Sequence, residues 1–206
     1  MSIYKVPENT NIEETAQRTD ILHFMDVTGV EGVTGSDVWC QMGSGWTSMT
    51  ESPSAQTKER KFINEKSKRK NITSYSPSFA FEALLMFLNP TVRKVYNIYT
   101  HRLTGTDAVV PIIHVDAFEE VKNGYYPARK GRYAVEVSSC DDDDDMIIKG
   151  NFNGQGDEAI GWFDPVNGEW SDEEPTAPAN GQPESQSSEP APEEPAPEPE
   201  EEDENE

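Results

Sequence analysis

Glycines and aromatic residues punctuate one stretch so closely, Gly150-Asn-Phe152-Asn-Gly154-Gln-Gly156-Asp-Glu-Ala-Ile-Gly161-Trp162-Phe163-Asp-Pro165, that it reads as short strands joined by turns and bulges. Neither these glycines nor Gly43-Ser-Gly45 precede the Lys-Ser/Thr of a phosphate loop or sit in a strand-to-helix dinucleotide fingerprint. A nucleotide site is therefore not the reading, and a small all-β domain is.

Length fits one domain with an appendage, and charge locates the appendage. Of the 39 acidic residues, 14 fall in 171–206, a segment with no Lys or Arg, eight of the 15 prolines and no aromatic residue. It cannot bury enough apolar surface to offset an ordering cost of roughly 1–2 kcal/mol per residue, and is expected to be disordered. The remaining 25 acidic residues stand against 17 Lys and Arg, so the first 170 residues carry −8 rather than the whole chain's −22. All four Trp, seven Tyr and eight Phe lie there, enough for a modest core. Cys40 and Cys140 have no local partner and read as free, buried or half-buried thiols. The first residues show no secretory leader pattern, and no apolar run approaches the ~20 residues that span a bilayer. The expected setting during synthesis is the cytoplasm, with no membrane partner.

Along the chain, residues 1–18 are polar and interrupted by Pro7, and read as an extended arm. Strands are expected over 21–28, 38–42 and 46–49. Residues 51–72 form a long charged loop with Lys58, Arg60, Lys61, Lys66, Lys68, Arg69 and Lys70 against Glu51, Glu59 and Glu65. From Ser78, an extended conformation puts Phe79, Phe81, Ala83, Leu85 and Phe87 on one face. Asn89-Pro90 supplies a helix start, and Val92, Val95, Tyr96, Tyr99 and Leu103 follow at helical spacing, which predicts one helix over about 90–102. Strands over 108–118, 125–138 and 146–153 follow, the last reached through the acidic turn 141–145. One helix among about seven strands describes two packed β-sheets, a sandwich or small barrel, with a flanking helix.

Catalytic chemistry is not visible. His23, His101 and His114 each stand alone in sequence, without a second ligand at metal spacing, and read as structural. Abundant carboxylates place some pair close by chance, which is no sign of hydrolase chemistry. Asp141–Asp145 lacks the spaced ligands and turn glycine of a calcium loop and reads as a solvated hairpin loop. No cofactor, metal or catalytic residue is assigned. The basic run 58–70 admits three readings: a solvated loop, a loop meeting an acidic protein neighbour, or a phosphate-binding segment whose binding would be salt-dependent. The acidic body opposes the third.

Tyr4-Lys-Val-Pro-Glu-Asn-Thr, Thr19–Thr28, Trp39-Cys-Gln-Met-Gly43, Gly45-Trp-Thr-Ser-Met49, Tyr75-Ser-Pro-Ser-Phe79 and the Gly-rich stretch 150–165 occur in an order that resembles the major tail tube proteins of long-tailed bacteriophages and related prophages. The resemblance covers about residues 3–170. It implies a virion structural protein with six copies closed into a ring, rings stacked into a tube, and no catalysis. It implies as partners further copies of the chain, the tape measure protein, and the tail terminator and baseplate or distal tail proteins. DNA would pass through the lumen without specific binding, and the chain would lie in the virion tail after assembly in the host cytoplasm. Under this resemblance Lys58, Arg60, Lys61, Lys66, Lys68 and Arg69 become candidates for subunit or ring contacts, and Glu82, Asp116 and Glu136 for an acidic lumen face. The tube of a contractile tail or tail-derived bacteriocin keeps the same fold. Many family members continue into an immunoglobulin-like domain, whereas here a Pro/Glu-rich segment follows. A different class of function, a β-sandwich module binding host-surface carbohydrate, would need Trp39, Trp46, Trp162 and Trp170 as exposed stacking platforms.

Overall fold

The computed structural model describes residues 17–119, 122–142 and 145–175. Most of the arm expected over 1–18 and of the acidic segment expected over 171–206 lies outside the described residues.

Strands β1 (Ile21–Asp26), β2 (Trp39–Gln41) and β3 (Trp46–Ser52) open the fold. Then come β4 (Ala55–Arg60), β5 (Arg69–Tyr75), β6 (Ser78–Leu84) and the helix α1 (Pro90–Thr100). β7 (Val109–Asp116), β8 (Tyr126–Asp142), β9 (Met146–Gly154), β10 (Ala159–Asp164) and β11 (Glu169–Ser171) complete it. Nine strands form one antiparallel sheet in the order β2-β1-β7-β8-β9-β6-β3, with the β10–β11 hairpin joined to the first half of β8. Among the described residues the protein is mainly β with one flanking α-helix, as expected. The two packed layers, however, come from a single sheet folded over on itself. β6 and β7 are separated by two strands, which in a flat sheet would put them about 14 Å apart. Yet the Phe79 and His114 rings stack with centroids 4.3 Å apart, and Met25 of β1 shares a core with Trp46 of β3 from the other end of the sheet.

That core holds Phe79, Phe81, Phe152, Tyr133, Ile112 and Val95 among others, between the concave sheet face and α1. A second cluster, Phe24, Ile113, Val115, Ala128 and Phe163, lies on the other face of β7, with Trp39 and Trp170 packed against it. β7 is thus buried on both sides, which accounts for its nearly unbroken apolar run.

Local chemistry fixes α1. The Asn89 side chain accepts from the Thr91 and Val92 amides at 3.0 and 3.4 Å, Pro90 occupies the first turn, and the indole of Trp46 donates to Thr91 Oγ1 at 2.9 Å. The inward face is Val92, Val95 and Ile98; Tyr96 and Tyr99 lie half-buried at its margin and Leu103 is exposed. The helix stops at Thr100 because Arg102 takes a left-handed conformation, φ 51°. In β6 the alternation holds for Phe79, Phe81 and Ala83, all buried, but the strand ends at Leu84 and leaves Phe87 exposed in the turn before the helix.

The expected loop 51–72 is corrected. It is a two-stranded antiparallel hairpin, β4 paired with β5, forming a sheet of its own. Every residue of both strands is exposed, so no burial alternation exists for sequence to reveal. The closing glycines are also not all turns. Only Gly156 has a positive φ, 94°. At Gly154 an added Cβ would lie 2.8 Å from the Pro77 carbonyl oxygen, and at Gly161 2.6 Å from the Trp170 ring. At Gly150 it would overlap the Glu136 carbonyl oxygen and come within 2.8 Å of Phe81 Cζ. These three positions need glycine because neighbouring backbone and rings occupy the place of a side chain.

Candidate assembly surfaces

Among the described residues, the face of β3, β6, β9 and β8 turned away from α1 is covered by no other element and is polar. Register aligns Thr50, Ala80, Asn151 and Glu136 in one row across the four strands, and Ser48, Glu82, Lys149 and Ser139 in the next. Glu136 is exposed and accepts from Asn153 Nδ2 at 3.0 Å. Lys149 Nζ lies 3.9 Å from Glu82 and 3.6 Å from Asp141, all part-exposed, so these pairs add little stability. Of the three acidic candidates, Glu82 and Glu136 share this face. Asp116 does not: pairing of β7 with β1 places it opposite Ile21 on the same face as His114 and Ile112, the face that carries the main core.

All six basic candidates lie on the β4–β5 arm or its connecting turn. Lys68 reaches Glu59 at 3.3 Å, and Arg69 pairs with Glu65 while its guanidinium lies 5.6 Å from the centre of the Phe62 ring. Arg60 and Arg69 are direct cross-strand partners, a like-charge juxtaposition that opposes pairing. Among the described residues Lys58, Arg60, Lys61 and Lys66 form no ion pair. At the tip, Phe62 is half exposed and Ile63 fully so. An isolated two-stranded hairpin is marginal in water; this one has no buried face, and its opposite-charge pairs, Glu59 with Lys68 and Lys70 and Glu65 with Arg69, lie at the surface where they add little.

The four Trp do not form a carbohydrate platform. Trp46 and Trp162 are buried, and Trp39 and Trp170 are half-buried against Phe163, with the Lys130 ammonium over both rings at 5.2 and 5.7 Å.

No family model and no curated protein matches this chain. Among solved structures, 71% of it aligns with 98% of a chain in the tail of an empty GTA particle (C6 symmetry), at TM-score 0.49 and 12% identity. The same share aligns with 98% of a chain in the virion of a native gene transfer agent particle, at TM-score 0.47 and 9% identity. It also aligns with 95% of a chain in the anti-feeding prophage baseplate, at TM-score 0.41 and 8% identity. All three TM-scores lie below 0.5, a likeness too loose to carry a functional conclusion.

One buried polar group escaped the sequence reading. His23 and His114, expected to stand alone, are cross-strand partners with Nδ1 atoms 2.7 Å apart. His114 Nε2 lies 3.1 Å from Tyr133 Oη, which donates to Glu158. Arg129 binds Glu51 through two contacts of 3.1 Å and Glu158 at 3.3 Å. Burial lowers His23 to about 4, opposed by Glu51 and assisted by Arg129 and Arg18. Burial, then His23 and Arg129, hold His114 well below its ordinary value. Tyr133 is pushed up by burial and by its bond to Glu158, and stays protonated. Beside the network lies a cavity of about 510 Å³ lined by Arg18, His23, Trp46, Met49, Glu51 and Phe79 among others. Nothing in the spacing of residues 91 apart announces this pair; the one signal was a histidine inside the apolar run Ile112-Ile113-His114-Val115, which must find a buried partner.

Proposed function

We propose that this protein is a self-assembling structural subunit of a phage-type tail, closing into six-membered rings that stack into a tube around a DNA conduit. The observation that carries the reading is the β4–β5 arm: a strand pair with every residue exposed, surface ion pairs that add little and an apolar tip needs a partner surface to hold it. The rest of the body is acidic, which makes another copy of the same chain a suitable partner for Lys58, Arg60, Lys61, Lys66, Lys68 and Arg69. β2 and β3 end the large sheet, and joining such edges between copies removes a row of unpaired backbone groups.

In this arrangement the polar face carrying Glu82 and Glu136 lines the bore, and the helix faces outward. Carboxylates, amides and small hydroxyls there repel or slide past phosphates without gripping them, which suits DNA transit. Asp116 takes no part in that surface. Tape measure, terminator and baseplate proteins are the expected further partners, and the virion the expected location. Sedimentation of the wild type and of the triple variant Lys58→Glu, Arg60→Glu, Lys61→Glu tests the arm's role. Assembly lost with the monomer's thermal unfolding unchanged supports it; assembly of the variant at wild-type concentration overturns it.

A further inference from the structure

The side chains of His23, His114, Tyr133 and Glu158 form one hydrogen-bonded line from β1 through β7 and β8 to the residue preceding β10. Its proton positions follow from counting donors. Tyr133 has a single hydroxyl proton and gives it to the Glu158 carboxylate, so its oxygen must accept from His114 Nε2–H. A neutral His114 protonated at Nε2 has a bare Nδ1, which accepts from His23 Nδ1–H. His23 Nε2 is then the unprotonated end of the line, in a side chain that borders the cavity.

We propose that this line is an acid-operated latch: with both imidazoles neutral it fastens β1 to β7, β8 and the β10 limb, and protonation of the pair releases β1 and opens the cavity. A proton on His23 Nε2 leaves the line intact but puts a cation near Arg18 of the turn before β1 and Arg129 of β8, with Glu51 of β3 the facing carboxylate. A proton on His114 Nδ1 sets N–H against N–H across the 2.7 Å contact and breaks the line at its centre. Phe79 of β6, stacked on His114, offers no compensating acceptor. The inference stands independently of the tube reading.

The sign is fixed by linkage. An opened state hydrates the imidazoles and restores their ordinary affinity, near 6.5, so it binds more protons than the closed state between there and about 4. Closure is complete above that window and weakens as pH falls through it, by up to about tenfold per pH unit for each histidine.

Hydrogen exchange of β1 amides on the full chain, corrected for intrinsic rates, should show protection falling about 100-fold or more between pH 6.5 and pH 4. Long-range proton–nitrogen spectra at pH 7 should show His23 protonated at Nδ1 and His114 at Nε2. His23→Asn, which keeps a donor but cannot titrate, should show a pH dependence shallower by about tenfold per unit. Protection that is flat to pH 4, the opposite tautomers, or imidazoles titrating near 6.5 without opening would each overturn the latch. The wild-type spectra decide the matter if the variant does not fold.

Discussion

Replacing Gly150 by alanine separates two explanations of the glycine pattern over 150–161, conformational freedom and close approach. Gly150 lies on β9 between Val137 of β8 and Phe81 of β6, facing the core. A methyl there would overlap the Glu136 carbonyl oxygen and lie 2.8 Å from Phe81 Cζ and 3.0 Å from the Glu136 carbonyl carbon. Carbon atoms pack at about 3.5–4.0 Å, so both neighbours must retreat by roughly 1 Å. Phe81 has little room, being held against Phe152 and Trp46 with centroids at 4.5 and 5.6 Å. The alternative is to part β8 from β9 beside the irregularity already present between Val137 and Ser139. Overpacking costs about 1–3 kcal/mol, and one or two ladder bonds add about 1 kcal/mol each. The stiffer unfolded chain returns about 0.4–1 kcal/mol, leaving a loss of about 3 kcal/mol. Urea unfolding followed by Trp fluorescence, at concentrations where the chain is monomeric, should show the midpoint falling by about 1.5 M for an m-value of about 2 kcal/mol/M. Gly156→Ala is the control: its Cβ meets nothing within 4 Å, and its φ of 94° alone should cost about 1–2 kcal/mol. A Gly150→Ala loss under about 1 kcal/mol, or a Gly156→Ala loss exceeding it, would refute the packing argument.

Asn89→Ala removes the cap of α1 and the contact of its amide with Ser44, and should cost about 1–2 kcal/mol in thermal or urea unfolding. Trp46→Phe keeps most of the ring burial but leaves Thr91 without its indole donor; a loss of about 1 kcal/mol is expected in the same assay. Removing residues 176–206 should leave unfolding and assembly unchanged, because β11 and the Lys122–Glu174 pair remain; failure of the shortened chain to assemble by sedimentation would show that the segment takes part. Glu82→Lys with Glu136→Lys should leave folding within about 0.5 kcal/mol while conferring salt-sensitive DNA retention on assembled material, read by co-sedimentation.

What could be read from sequence follows from burial. β6 and α1 were legible because one face of each is apolar at its own period, and because Asn89-Pro90 carries a cap with a mechanism. β4 and β5 were invisible as strands because nothing in them is buried: pairing there is a backbone matter, and a charged sequence in a strand looks the same as one in a loop. β10 was hidden by its one glycine, Gly161, which resembles a turn residue until the Trp170 ring and Ser171 carbonyl are seen in the place of its Cβ. Alternation assigned Glu82 and Glu136 to the polar face. It does not hold for Asp116, expected on the same face by the same alternation, since β7 is apolar on both sides and gives no sign of which face turns to solvent. The basic candidates proved to share one element, which their closeness in sequence already implied. The histidine line joins four segments through tertiary pairing alone, and local pattern carries no trace of its geometry.

Electron microscopy of the purified protein across a concentration series, with sedimentation on the same samples, tests the central claim most directly. The account predicts six-fold rings and hollow tubes whose population grows with concentration. Particles that remain monomeric throughout, or assemblies without a bore, would contradict it.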